Sequence, residues 1–106
     1  MKRVRSGLEE LLARPSRIAG SRVGLIANPT AVTPDLTHAA LHLKSLKSTR
    51  LVALFGPEHG VFANAQDLEE VGDQKDPKTG LPVFSLYGET RIPTAKMLAG
   101  IDTLIF

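Results

Sequence analysis

The chain has 106 residues, no cysteine and a formal charge of +2, with 42% hydrophobic and 23% charged residues. This length suits one small domain with a single core, and the composition is typical of a globular protein. The lack of cysteine excludes disulfides and thiolate metal sites, and the scattered Lys and Arg residues give no support to nucleic-acid binding. The basic start lacks a long apolar run, so the chain as written shows no secretory signal and no membrane span.

The first part of the chain predicts a helix, a strand and a second helix. A serine followed three residues later by a glutamate, and then leucines at helical spacing, predict a capped helix over 6–14. The apolar run at 22–28 is typical of a strand that is covered on both faces. Thr33 as the cap and Pro34 as the first helical residue predict the next helix over 34–47.

Three further strands are predicted at 51–56, 82–88 and 101–106. Between the last two, a short helix begins at Ile92 and Pro93, and Gly100 is placed to end it in a left-handed conformation. Strands that alternate with helices predict the α/β class, with a mainly parallel sheet flanked by helices.

The C-terminal end of this pattern differs from that of a complete domain. The chain stops on a hydrophobic strand with no helix after it, which predicts that the fold is truncated after the fourth strand. Residues 1–106 are therefore expected to be the N-terminal portion of a larger domain.

The stretch 61–81 is too long for a bare connection and indicates a functional or mobile loop. Its acidic excess favours a solvated lid over a cation site.

Ligands of parallel α/β sheets bind beyond the carboxyl ends of the strands. Asn28, Glu58 and Tyr87 each follow or end a predicted strand, so they should share one rim, whereas Asp102 should lie at the opposite edge. Glu58 stands between a proline and His59 at the end of an apolar strand. A partly desolvated carboxyl group there suits proton transfer near neutral pH. The alternative is a glutamate that caps the next segment or pairs with a loop lysine.

Other polar residues leave alternatives open. His59 can bind a substrate hydroxyl or orient a carboxylate, or it can be a half-buried loop histidine. Asn28 and Thr30 can hold a hydroxyl or an anion, or they can satisfy the backbone of a turn. His38 and His42 have the spacing of metal ligands, but they fall opposite the leucine face and lack a third ligand, which predicts solvated side chains and no metal. The chain has no glycine-rich phosphate loop, which disfavours a nucleotide cofactor.

Four motifs occur in a fixed order along the chain: ANPTAV at 27–32, LFGPEHGVFANAQ at 54–66, VGDQKDPKTGLPVFSLYG at 71–88 and P-x-x-x-M-L-x-G-I-D at 93–102. Together they resemble the NamZ/YbbC-type family, exo-acting β-N-acetylmuramidases of bacterial peptidoglycan recycling. The resemblance covers nearly the whole chain after about residue 20. It implies a Rossmann-like catalytic domain followed by a smaller auxiliary domain, of which this chain is only the first part.

The resemblance also implies roles for individual residues. It assigns catalysis to Glu58, with His59 in the same motif. Matching family elements imply a shaping or binding role for four residues, Asn28, Thr30, Tyr87 and Gly88. The implied reaction releases terminal N-acetylmuramic acid from the non-reducing end of peptidoglycan-derived sugar chains, without a metal or an organic cofactor.

Two residues are added on chemical grounds. Glycoside hydrolysis usually needs a second group besides the proton donor, and Asp73 can supply it if its loop folds back. Otherwise that group is expected beyond Phe106. Arg91 is a candidate partner for the lactyl carboxylate of muramic acid.

Two alternatives remain at this point: a non-catalytic sugar- or anion-binding α/β module, and an inactive truncated product. The 106-residue chain alone is expected to be inactive, because the second wall of the cleft belongs to the missing C-terminal part of the same protein. The absence of a secretory signal indicates a cytoplasmic location for the chain as written, and export of the parent stays open.

Overall fold

A computed structural model describes residues 4–56, 74–86 and 91–106 of the protein. Within these ranges the chain forms three α-helices, five strands and one short 3-10 helix at Pro15–Ile18. In chain order the helices and strands are α1 (Gly7–Ala13), β1 (Arg22–Ile26), α2 (Ala39–Ser45), β2 (Arg50–Gly56), β3 (Gln74–Lys75), β4 (Pro82–Ser85), α3 (Ala95–Leu98) and β5 (Thr103–Ile105). Among the described residues, no helix has the length and apolar character that crossing a lipid bilayer requires.

The five strands form one sheet in the order β3-β4-β2-β1-β5. Four of them, β4, β2, β1 and β5, are parallel, and the two-residue β3 pairs antiparallel with β4 at one edge. The chain moves from β1 through β2 to β4 on one side and then returns to place β5 on the other side of β1. Because parallel crossovers are right-handed, connections that move in opposite directions lie on opposite faces of the sheet. The predicted α/β class with a mainly parallel sheet is confirmed.

The hydrophobic core lies on the face of the sheet that α1 and α2 cover. Val23 and Leu25 occupy alternate positions of β1 and pack with Leu54 of β2 and Leu43 of α2. Val23 and Leu54 have no exposed surface. Burying one such side chain contributes about 1.5–3 kcal/mol, so this cluster fixes how the helices lie on the sheet.

The opposite face of β1 carries Gly24. A Cβ atom added there would lie 2.8 Å from Ile101 Cδ1 and 3.0 Å from Phe55 Cε1. Ile101 belongs to the connection between α3 and β5, so this connection crosses β1 at close range. The absence of a side chain at position 24 allows that approach.

The first helix begins and ends as predicted to within one residue, whereas the third begins at Ala95, after the predicted start at Ile92 and Pro93. Ser6 caps α1: its hydroxyl accepts the Glu9 N–H at 3.1 Å, and the Glu9 carboxylate accepts the Ser6 N–H at 3.1 Å. This reciprocal pair satisfies two amide groups that the helix leaves without partners. Thr94 caps the short α3 in a similar way, and Gly100 adopts the predicted left-handed conformation, with φ at +79°.

The second helix begins five residues later than the predicted range 34–47, at Ala39, and the prediction of its start is wrong. Thr33 is not its cap. The cap is His38, whose Nδ1 accepts the Ala40 N–H at 3.0 Å. Histidine is not among the side chains that usually cap helices, and for this reason the sequence pattern favoured the threonine.

The residues before α2 form a tight loop held by polar side chains. The Thr33 hydroxyl donates to the Asp35 carboxylate, and Asp35 Oδ1 also accepts the Thr37 N–H at 3.1 Å. The hydrogen bond from Thr33 holds the pKa of Asp35 below its usual value. These local bonds compete with helix formation and leave Leu36 at φ +66°, a conformation that L-residues rarely adopt.

The long stretch 61–81, predicted to be irregular, has a defined end. β3 and β4 form a short antiparallel hairpin. Asp76 closes its turn, because its buried carboxylate accepts the N–H and the hydroxyl of Thr79, both at 2.7 Å. A two-residue strand is set by its partner and gives no periodic signal in the sequence.

Replacing Leu36 tests the strain in the loop before α2. The side chain is 78% exposed, so its removal costs little packing, whereas glycine adopts positive φ without steric cost. We expect Leu36→Gly to raise the free energy of unfolding by about 0.5–1 kcal/mol relative to Leu36→Ala, which keeps the Cβ atom and therefore the strain. Urea unfolding of both variants measures the difference. A glycine variant no more stable than the alanine variant would contradict the strain.

Candidate functional site

The carboxyl ends of β1, β2 and β4 lie side by side. The N–H of Ala27 donates to the Phe55 carbonyl at 3.1 Å, and the N–H of Leu86 donates to the Gly56 carbonyl at 2.9 Å. The chain therefore leaves all three strands at the same edge, with β2 between the other two. This edge is called the rim below. The predicted common edge is confirmed for the strand ends.

Five of the eight predicted site residues fall outside the described residues, namely Glu58, His59, Asp73, Tyr87 and Gly88. In the sequence, Glu58 comes two positions after the last residue of β2, and Tyr87 comes directly after Leu86. Their proposed roles stay predictions. The other three, Asn28, Thr30 and Arg91, are described and exposed.

Asn28 and Thr30 lie together where the chain leaves β1. Asn28 Oδ1 accepts the Thr30 N–H at 3.2 Å and the Thr30 hydroxyl at 2.8 Å. The turn interpretation of these two residues is therefore confirmed, because the Asn28 oxygen is used within the loop. Within residues 4–56, 74–86 and 91–106, the amide nitrogen of Asn28 has no hydrogen-bond partner, so it can donate to a hydroxyl or carboxylate oxygen at the rim.

His38 connects α2 to the rim, and sequence reasoning missed it. The residue is only 6% exposed, and its Nε2 lies 2.9 Å from the main-chain oxygen of Asn28. A carbonyl only accepts and an amide N–H only donates, so the imidazole is neutral, with its proton on Nε2 and with Nδ1 accepting from Ala40. The prediction that His38 is solvated is wrong.

His42 also differs from the solvated side chain that the sequence predicted. It is half-buried, and its Nε2 lies 2.9 Å from the Thr33 hydroxyl oxygen. The Thr33 hydroxyl gives its own proton to Asp35, so it accepts from the imidazole. Both histidines thus hold the loop between β1 and α2. In the part of the chain that the structure describes, no three His, Asp or Glu side chains are grouped as metal ligands would be.

Arg91 begins the described segment that leads to α3 and is exposed there. Its guanidinium is always charged and can bind a carboxylate through two parallel hydrogen bonds. The pairing of Arg91 with a substrate carboxylate stays a prediction.

The opposite, amino-terminal edge of the sheet carries an ion pair and a hollow. Asp102 Oδ2 accepts the backbone N–H of Arg22 at 2.9 Å and the side-chain Nε–H of Arg22 at 3.1 Å. Asp102 Oδ1 accepts an N–H from Nη2 of the same guanidinium at 3.0 Å. Asp102 therefore lies at the edge that the sequence predicted, away from the rim. A hollow of about 360 Å³ lies at the same edge, lined by Gly20, Ser21, Arg22, Lys47, Ser48, Thr49 and Arg50.

Comparisons with known proteins give one family. The chain matches the family described as "Exo-beta-N-acetylmuramidase NamZ, N-terminal" over residues 23–106. It is 45% identical over 105 residues to the peptidoglycan beta-N-acetylmuramidase NamZ of Bacillus subtilis (strain 168), covering 98% of this chain and 25% of that protein.

Two solved structures are similar as well. A crystal structure of a DUF1343 family protein from Bacteroides fragilis NCTC 9343 aligns with a TM-score of 0.85 and 43% identity, covering 97% of this chain and 26% of that one. A second DUF1343 family protein of the same strain gives a TM-score of 0.66 and 25% identity, covering 92% of this chain and 23% of that one. The chain thus spans about a quarter of the length of the relatives it matches.

The ion pair at the amino-terminal edge predicts a pH effect on stability. Hydrogen bonds from Arg22 lower the pKa of Asp102 from 3.8 to about 2. Because the folded pKa is depressed, the stabilisation is present above pH 3.8 and is lost as the pH falls through about 2. We expect Asp102→Asn to lower the free energy of unfolding at pH 7 and to match the wild type below pH 2. Urea unfolding across this range measures it.

The control for this prediction is Glu10→Gln, which removes a second exposed ion pair within the described residues, with Arg5, and no backbone bond. We expect little change from it at any pH, because exposed pairs contribute little alone. An Asp102→Asn effect that is the same at pH 7 and below pH 2 would contradict the ionic origin of the stabilisation.

Proposed function

The chain belongs to the NamZ N-terminal family, and we propose that it forms the first part of a Rossmann-like catalytic domain in a peptidoglycan-directed β-N-acetylmuramidase. All 106 residues are assigned to this one domain. The rest of the domain and a smaller auxiliary domain would come from the remainder of a protein as long as its relatives. The substrate would be a peptidoglycan-derived sugar chain with N-acetylmuramic acid at its non-reducing end.

The observation that carries the proposal is the position of β2. This strand has a parallel neighbour on each side, and Leu54 and Phe55 near its end have no exposed surface. Residues that follow such a strand leave the sheet from the middle of the rim, where parallel sheets bind their ligands. Glu58 is the second residue after β2, and it is the glutamate of the Pro-Glu-His-Gly motif.

The proposed chemistry is general acid–base catalysis by Glu58. Cleavage of a glycosidic bond requires a proton for the leaving oxygen and a second group that activates water or stabilises the oxocarbenium-like transition state. Glu58 would supply the proton. Asp73 is the candidate for the second group within this chain, and a carboxylate elsewhere in the whole protein is the alternative. Two carboxyl groups perform this reaction without a metal or an organic cofactor.

The remaining residues would bind the sugar. The amide nitrogen of Asn28, held at the rim by its turn with Thr30, is a donor for a sugar hydroxyl or carbonyl oxygen. Tyr87 and Gly88 follow β4 and would shape the adjacent wall, and His59 would hydrogen-bond a hydroxyl. Arg91 would pair with the lactyl carboxylate. The proposed catalytic residues are thus Glu58 and His59, and the proposed substrate-binding residues are Asn28, Thr30, Asp73, Tyr87, Gly88 and Arg91.

Glu58→Gln tests the catalytic role. The substitution keeps the shape of the side chain and removes the acid, so we expect kcat to fall at least about 100-fold while KM changes little. The measurement is hydrolysis of a chromogenic β-N-acetylmuramic acid glycoside by a protein of the relatives' length that carries this segment. Glu70→Gln, the same change in the acidic stretch, is the control and should leave kcat unchanged. A Glu58→Gln variant that retains turnover would favour the non-catalytic sugar-binding alternative.

The length of the active protein is tested separately. We expect the 106-residue chain alone to show no hydrolysis of the same glycoside, and the longer protein to be active, because the second wall of the cleft would come from the rest of the domain. Circular dichroism of both proteins shows whether each is folded. Comparable activity of the short chain would overturn this division, and inactivity of both would remove the enzymatic assignment.

A further inference from the structure

We infer that His38 is a positioning residue for the rim, which orients Asn28 through the Asn28 carbonyl group. This inference rests on the proposed function, in which Asn28 binds the sugar. His38 lies outside all four sequence motifs that identify the site, ten residues after Asn28. In the proposed arrangement its imidazole acts on the site through Asn28.

The peptide group between Asn28 and Pro29 has only one polar atom that can hydrogen-bond, the Asn28 carbonyl oxygen, because proline has no N–H. This oxygen accepts the Ala31 N–H at 3.2 Å and the His38 Nε2–H at 2.9 Å. A carbonyl has two lone pairs, so the two donors fill its hydrogen-bonding capacity and fix the orientation of the peptide plane.

The fixed orientation of this peptide restricts the position of the Asn28 side chain. The Asn28 Oδ1 atom accepts from the Thr30 N–H and hydroxyl, so the backbone and the side chain of Asn28 are both held. What remains for a ligand is the amide nitrogen, whose direction follows from these bonds. A donor placed in advance loses less entropy when a ligand binds than one that must be ordered at that moment.

His38 has two roles, and they use different atoms. Nδ1 accepts the Ala40 N–H and caps α2, whereas Nε2 donates to Asn28. An asparagine reaches about as far as the Nδ1 atom of histidine and is a good helix cap, but it is too short to reach Asn28. A glutamine amide reaches about as far as Nε2 and can donate to Asn28 without capping α2 well. The two substitutions therefore separate the roles.

The experiment compares His38→Asn and His38→Gln in a protein of the relatives' length, with the chromogenic muramic acid glycoside as substrate. We expect His38→Asn to raise KM about threefold to tenfold, the equivalent of one neutral hydrogen bond, and to lower the melting temperature less than His38→Gln does, because the helix cap is kept. We expect His38→Gln to lower the melting temperature and to keep KM within about twofold of the wild type. A shift of the Asn28 side-chain amide resonances in the first variant alone would report the same change without activity.

An Asn28→Ala background provides the matched control. If His38 acts through Asn28, His38→Asn has no further effect on KM once the Asn28 side chain is gone, because the two changes are not additive. An unchanged KM in His38→Asn, or a KM that rises equally in both His38 variants, would overturn the positioning role while the wild type stays active. A wild-type protein without muramidase activity would instead overturn the proposed function, and this inference with it.

Discussion

The parallel pairing of β1 with β2 is the interaction on which the rest of the structure depends. The register runs from Arg22 opposite Arg50 to Ile26 opposite Phe55, and it brings Val23 and Leu25 of β1 into one core with Leu51 and Leu54 of β2. Parallel pairing also sends both chain ends out at the same edge, and β4 continues the pattern on the other side of β2. The rim is thus a consequence of core packing, because the same contacts that stabilise the fold bring together loops distant in sequence.

The sequence predicted well the elements whose signals are local and strong. Buried parallel strands appear as continuous apolar runs, and the capping pair of Ser6 and Glu9 marks the start of α1. The start of α2 was predicted wrongly, because Asp35 and Thr33 bind each other and the nearby backbone more favourably than they cap a helix. Tertiary pairing, which no period in the sequence encodes, sets the two-residue β3.

Among the residues of the candidate site, too, the sequence predicted those with a local signal and missed one without such a signal. Asn28 and Thr30 were found because a polar motif directly after an apolar strand marks the carboxyl edge of a sheet. His38 was not found, because its partners include a carbonyl group ten residues earlier and the first turn of a helix whose start was misplaced. Its position in the predicted helix made it appear solvated, although it is almost completely buried. A polar side chain whose partners are backbone atoms leaves no trace in residue types alone.

The two edges of the sheet are stabilised by different kinds of interaction. At the amino-terminal edge, charge-assisted bonds join Arg22, the first residue of β1, to Asp102, which directly precedes β5. At the rim, Asn28 in the loop after β1 is held by neutral hydrogen bonds, each worth only about 1 kcal/mol. In such a loop one buried imidazole with both nitrogens bonded can decide the orientation of a peptide. Burying an imidazole without hydrogen bonds costs free energy. The bonds to Asn28 and Ala40 therefore allow a buried histidine at position 38.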